Sequence, residues 1–402
     1  MITGLIYGLV ATICAMLLAY STTPPVRVLA YKIGAVDVPL DSRRIHKKPI
    51  PRIGGLAIFL AFTVSTALLC TPSNTLVTIW IGGGVLVILG ILDDIFRLNA
   101  WLKLLIQLAV SGFAVFNGCV IDHISLGGEY IHFGMWGIPL SMLWIAGLTN
   151  AINFIDGLDG LACGVSAISS LSLLFVVLLQ GDYASALLFA ILFGSCIGFL
   201  PYNSNPARIF MGDTGALFLG FSLAVLSVQG VFKLHAVLSF IVPLTVFALP
   251  IFDASFAIFR RLLSGKSPFA ADRGHIHHRL IDAGFSQKES VKILYAICGI
   301  LGLVAVFCTE AMFSTMKEVK SACIAIIALI LFAVNFLIMK NPNLRKHSGL
   351  TPDDITVDEY INELGEVKAK IIEAHNTESH AKKEENITDK VSESDEKNKK
   401  QK

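Results

Sequence analysis

Apolar residues run along this chain in long blocks, and the polar residues collect in the gaps between them. A helix needs roughly 20 consecutive, mostly apolar residues to cross a bilayer. Blocks of about that length lie at 2–20, 53–71, 75–92, 100–118, 135–153, 161–180, 183–200, 214–231, 235–260, 291–309 and 319–339. The pattern predicts an all-α fold, a polytopic membrane helix bundle of about eleven transmembrane helices. Membrane barrel strands would alternate over ~10 residues, and these blocks do not alternate. Pro243 and Pro250 fall inside the ninth block and predict a kink in that helix. Residues 119–134, between the fourth and fifth blocks, are β-rich around Gly127-Gly128 and read as a hairpin. The first block lacks a basic n-region and a small-residue cleavage site, so it reads as a spanning helix and not as a cleaved signal.

Composition agrees with the blocks. Of 402 residues 54% are hydrophobic and only 15% charged, with a mean hydropathy of +0.69. Soluble domains carry about 25% charged residues. A secreted disulfide scaffold, a soluble nucleic-acid binder and a water-soluble Rossmann enzyme are excluded on this ground. The charges are also uneven, with 25 of the 62 Asp, Glu, Lys and Arg residues inside 341–402. Residues 1–340 are therefore expected to form the membrane domain, and 341–402 a polar, largely disordered tail. The eight cysteines are scattered through apolar blocks with no CxxC, as small helix fillers would be. With the N-terminus outside, the inner loops hold 17 Lys and Arg residues of the membrane domain and the outer loops three, Lys233, Lys317 and Lys320. The excess puts the N-terminus outside and the C-terminal tail in the cytoplasm.

Ionisable residues are costly in a membrane, so those at helix ends are functional candidates. Four clusters fall on the inner side. Asp93 and Asp94 end the third block, where two carboxylates oppose the helix dipole. They mark either a membrane boundary or a metal- or phosphate-handling pair. Asn150, Asn153, Asp156 and Asp159 follow at spacings of three, which aligns them on one stripe of a helical segment. Four oxygen donors on one stripe suit a hard cation such as Mg2+. Asn205 precedes Asp213, which stands at the start of the eighth block as an N-cap or as a Mg2+ carboxylate. The longest inner loop carries Asp272, Arg273, His275, His277, His278 and Arg279. Zinc fits their spacing poorly, and diphosphate recognition fits better. Lys48, in His46-Lys47-Lys48-Pro49-Ile50-Pro51-Arg52-Ile53-Gly54-Gly55, contacts either phosphates or anionic lipid. Asp253 lies about two turns inside the ninth block and is expected to line a cleft. A transporter would carry its polar site near the bilayer midplane. An interfacial site with many carboxylates and a basic loop points instead to Mg2+-assisted phosphoryl chemistry.

These motifs resemble those of the polyprenyl-phosphate N-acetylhexosamine-1-phosphate transferases, glycosyltransferase family 4. The resemblance rests on Lys47 to Gly55, Asp93-Asp94, Asn150 to Gly160, Met211 to Gly215 and Asp272 to Leu280, and it covers nearly all of 1–340. Pro268 to Leu280 resembles the branch that uses UDP-GlcNAc. The resemblance implies a Mg2+-dependent enzyme of the bacterial cytoplasmic membrane, with its active site on the cytoplasmic face. It transfers GlcNAc-1-phosphate from UDP-GlcNAc to undecaprenyl phosphate, giving undecaprenyl-diphospho-GlcNAc and UMP. That is the first membrane step of an envelope polymer such as a teichoic acid linkage unit or O-antigen. It further implies Asp213 and Asn153 as metal ligands and Asp93, Asp94, Asp156 and Asp159 as catalytic carboxylates. Substrate-binding roles fall to Lys48, Lys103, Asn150, Asn205, Arg273, His275, His277 and His278. Mn2+ as a substitute for Mg2+, UDP-GalNAc or UDP-MurNAc-pentapeptide as donor, a transporter and a homodimer stay open at this point. The partners are the two substrates and the bilayer, with no nucleic acid.

Overall fold

A backbone segment in lipid has to satisfy its own hydrogen bonds, which leaves helices for these blocks. The computed structural model describes residues 2–38, 49–126, 129–232, 241–265, 267 and 274–313. Helix α1 (Ile2–Ile33) leads to a short antiparallel pair, β1 (Val36–Asp37) and β2 (Ile50–Pro51), with Val36 opposite Pro51. Then follow α2 (Gly55–Leu69), α3 (Asn74–Phe96) and α4 (Ala100–Phe116). The hairpin β3 (His123–Leu126) and β4 (Glu129–His132) pairs His123 with His132. After it come α5 (Gly137–Phe154), α6 (Leu161–Leu179), α7 (Tyr183–Asn203) and α8 (Gly212–Ser227), the last continuing into a π-helical turn, Val228–Phe232. The described chain ends with α9 (Ile241–Val246), α10 (Ala248–Leu263), α11 (Ile276–Asp282) and α12 (Gln287–Phe313).

Seven of these helices are long and apolar enough to cross a membrane, and α2 and α4 are shorter apolar helices. The chain is thus an all-α, multi-pass membrane protein. Two blocks differ from their sequence reading. The first runs on to Ile33 through Pro24 and Pro25. Thr22 and Thr23, just before them, bond back to the Leu18 and Ala19 carbonyls of the preceding turn. The ninth block is divided at Phe247 into α9 and α10. The block at 319–339 and the tail lie outside the described residues. All the elements named above belong to one compact unit.

Helix α8 is buried along nearly its whole length, packed against α2, α3 and α5. Large apolar side chains such as Leu68, Phe116, Leu143 and Leu303 point outward and are exposed, as lipid-facing residues are. Lipid tails are as apolar as Leu, so helices in a membrane gain by close approach through small residues. Gly82 and Gly83 of α3 admit the rings of Phe221 and Phe218, and Gly90 lies directly on the Asp213–Thr214 backbone of α8. Gly55 and Gly215 bring the starts of α2 and α8 together in the same way. The end of α3 and the beginnings of α2 and α8 therefore meet at one point.

Candidate functional site

That point is where the carboxylates gather. Gly212, with φ +69°, lets the chain turn into α8 against Asp94 and the Arg52 carbonyl. The cap position of α8 is Met211, so Asp213 is not an N-cap but a residue of the first helical turn. Capping comes from α3: Asp94 Oδ2 accepts from the Thr214 hydroxyl at 3.0 Å and from its backbone N–H at 3.4 Å. Arg52 Nε lies 3.4 Å from Asp94 Oδ1, and the Asp94 side chain is fully buried. The adjacent Asp93 faces the other way. Its Oδ1 accepts from Leu98 N at 2.7 Å, and its Oδ2 accepts from Lys103 Nζ at 2.9 Å. Lys103, on α4, also donates to Asp213 Oδ2 at 2.9 Å. Asn153 of α5 donates to the same oxygen at 3.3 Å. Asp213 is thus the meeting point of α3, α4, α5 and α8.

Beyond Asn153, α5 ends and residues 155–160 turn into α6. Burial, reinforced by the charges of Asp213 and Asp94, pushes the Asp156 carboxyl up to about 8. Asp159 turns to the 203–210 loop, where its Oδ2 accepts from Asn205 Nδ2 at 2.9 Å and from Ala207 N at 3.0 Å. Asn205 also donates to Gln287 Oε1 of α12 at 2.6 Å, and Tyr295 of α12 donates to the Gly160 carbonyl at 2.6 Å. Helix α12 therefore braces both loops.

The histidines reach the same turn from α11. His277 sits against Gly157, where no side chain would fit. Burial and the neighbouring His278 and His275 rings push His277 down to about 3, so it is neutral at physiological pH. The His275 and His277 rings stack at 5.6 Å, and His277 and His278 lie 4.3 Å apart. His275 Nδ1 is 2.9 Å from Asp253 Oδ2, and Ile276 N donates to Asp253 Oδ1 at 2.9 Å.

Of the residues singled out from sequence, Asp93, Asp94, Lys103, Asn153 and Asp213 are joined by direct contacts or through Thr214 and Gly90. Asp156 shares their electrostatic field. His277 reaches them through the Asp156–Gly157 turn, with His275 and His278 beside it. Asp159 and Asn205 form a pair of their own. Asn150 is turned aside, donating to Gln107 Oε1 at 2.5 Å and to the Ala146 carbonyl. Lys48 and Arg273 lie outside the described residues. Sequence reading gave no role to Arg52, Gln107, Thr214 or Gln287. Arg52 and Thr214 stood inside quoted motifs, but nothing in a motif says that its basic or hydroxyl member will hold an aspartate from another helix.

The charges favour a cation. Three carboxylates, Asp93, Asp94 and Asp213, face two basic groups, Lys103 and Arg52, and Asp156 lies in the same field. Asp94 Oδ1 is buried without a hydrogen bond. Lys103 Nζ, held between Asp93 and Asp213, shows that a positive charge is at home there. Among the described residues no three His, Cys, Asp or Glu side chains converge closely enough to hold a metal unaided. A cation at Asp213 and Asn153 would complete its shell with water and substrate oxygens, as Mg2+ commonly does in phosphate sites.

Residues 76–231 match the family described as glycosyl transferase family 4. The chain is 42% identical over 305 residues to a probable undecaprenyl-phosphate N-acetylglucosaminyl 1-phosphate transferase of Bacillus subtilis, covering 75% of this chain and 85% of that protein. It is 34% identical to a decaprenyl-phosphate N-acetylglucosaminephosphotransferase of Mycobacterium tuberculosis, over 72% of this chain and 80% of the relative. An undecaprenyl-phosphate alpha-N-acetylglucosaminyl 1-phosphate transferase of Escherichia coli is 29% identical, over 70% and 78%.

Proposed function

Because the chain belongs to glycosyl transferase family 4, we propose that it transfers GlcNAc-1-phosphate from UDP-GlcNAc to undecaprenyl phosphate. The products are undecaprenyl-diphospho-GlcNAc and UMP, and the step opens the assembly of a cell-envelope polymer. The activities after which its relatives are named support the reaction. The observation that carries the site is Asp213 of α8, around which three other helices bring a lysine, an amide and a second carboxylate.

In this reading Asp213 and Asn153 would hold Mg2+, or Mn2+ in its place, which would supply positive charge for the donor diphosphate. Catalysis of phosphoryl transfer rests mainly on positioning and charge stabilisation. Asp93 orients the lipid phosphate, whose second pKa near 6 leaves it largely dianionic at pH 7. Lys103 screens the entering phosphate from Asp93 and Asp213. Asp94, buried between Arg52 and Thr214, acts by holding the start of α8. Asp156 and the histidine loop receive the nucleotide sugar, with Lys48 and Arg273 as further phosphate contacts. The body is an eleven-helix domain over 1–340 with a kinked ninth span, its N-terminus outside, its tail in the cytoplasm and its site on the cytoplasmic face of the inner membrane.

The test uses washed membranes from cells expressing the chain, given a panel of radiolabelled UDP-sugars with and without Mg2+. The reading expects lipid-extractable label and UMP from UDP-GlcNAc, with Mg2+ required. Label from UDP-GalNAc or UDP-MurNAc-pentapeptide alone would move the donor, and vesicle uptake without UMP release would favour a transporter.

A further inference from the structure

Asp253 has no task in the reaction as proposed, yet it is only 5% exposed and both of its oxygens are engaged. A carboxylate among apolar helices is costly unless something holds it. What it joins are two elements, α10 on one side and the start of α11 on the other. Its Oδ1 accepts from Ile276 N, the first backbone donor of α11, at 2.9 Å. Its Oδ2 meets His275 Nδ1 at 2.9 Å. His275 stands at the N-cap position of α11, but its side chain makes no cap bond, because the ring is turned to Asp253.

The chemistry of the pair decides which ring nitrogen is left for other work. A carboxylate has acceptors only, so the proton of a neutral His275 belongs on Nδ1 and the lone pair on Nε2. The ring cannot swing freely. His277 stacks on it at 5.6 Å with an interplanar angle of 11°, and Phe154 lies 6.0 Å away. His277 in turn rests on Gly157 beside Asp156. Carboxylates that hold a functional imidazole by one nitrogen set the tautomer and orientation of the other.

We propose that Asp253 is a positioning residue for the transfer, fixing His275 as the Nδ1–H tautomer so that Nε2 meets the donor as an acceptor. This rests on the reading above, in which the histidine loop receives the nucleotide sugar. The rival account makes Asp253 a cap for α11 and nothing more.

Asp253→Asn separates the two. The Asn side-chain oxygen still accepts from Ile276 N and keeps the cap. Its amide nitrogen donates to His275 Nδ1, which moves the imidazole proton to Nε2. The proposal expects kcat to fall about 10- to 100-fold, the range seen for carboxylates that orient metal-bound histidines, with a much smaller change in KM for UDP-GlcNAc. In a His275→Asn background the same substitution should bring no further loss, since coupled residues do not add. An unchanged kcat, or an equal fold-loss in both backgrounds, overturns it. Should Asp253→Asn fail to fold, 15N-histidine NMR of the wild-type protein in detergent decides alone. A protonated Nδ1 on His275 is expected, and a protonated Nε2 with bare Nδ1 refutes the proposal. A wild type that releases no UMP sinks the transferase reading, while the NMR result still judges the pair.

Discussion

The site has two halves built on different principles. The carboxylate half is made from the ends of spanning helices pressed together at glycines. Gly90 and Gly55 lie on the backbone of α8, and Asp94 caps α8 from α3. The histidine half stands on a seven-residue helix, α11, pinned by Asp253 and by the seat of His277 on Gly157. In both, a carboxylate from a neighbouring helix caps the element that carries the functional side chain. The first half is rigid because backbones touch. The second is placed by a few hydrogen bonds and one ring packed on a glycine. Damage to the first should unfold the bundle, and damage to the second should spare the fold and harm the reaction.

The largest effect is expected at Asp213. Asp213→Asn should lower UMP release about 10³-fold or more, on the scale of removing a group that stabilises transition-state charge, and should weaken Mn2+ binding read by EPR. More than a tenth of wild-type activity would break the assignment. Next comes a contrast of two glycines. Gly90→Val forces branched bulk onto the α8 backbone, where overpacking costs about 1–3 kcal/mol, so the thermal midpoint in detergent should drop and activity with it. Gly157→Ala should displace His277 and cut activity while leaving the midpoint nearly unmoved. Equal thermal losses would erase the distinction between the halves.

A smaller effect concerns pH. His277 is neutral in the fold, pushed down to about 3 from an ordinary 6.5. The unfolded chain therefore takes up a proton that the folded one refuses. Its contribution to stability is fully present above pH 6.5 and is lost as pH falls through that value toward 3. His277→Gln should flatten the acid side of a thermal-stability profile, and an unchanged profile contradicts the neutral assignment. The smallest effect is expected at Asn150. Its amide serves Gln107 and its own helix, so Asn150→Ala should leave UMP release within a few-fold of wild type.

Much of this could be read from sequence because burial in lipid constrains composition so strongly. Apolar blocks located the helices, and the rarity of charge in a membrane drew attention to Asp93, Asp94, Asp156 and Asp213. Spacing could not distinguish Asp93 from Asp94, since which carboxylate faces the site depends on where Gly90 brings α8. Nor could it show that Asn150, on the same stripe as Asn153, would be taken by Gln107 from another helix. Pro24-Pro25 reads as a helix stop in water, but α1 passes through it. Asp253 was visible as a charge out of place, and its purpose emerged only with the position of α11.

The claim that the carboxylate half transfers a phosphosugar and not a bare sugar is tested most directly by the fate of one atom. UDP-GlcNAc labelled with 32P at the β-phosphorus is incubated with undecaprenyl phosphate, Mg2+ and the purified protein. The account predicts the label in the lipid phase with unlabelled UMP released, and neither from Asp213→Asn. Label left on UDP in the aqueous phase would contradict it.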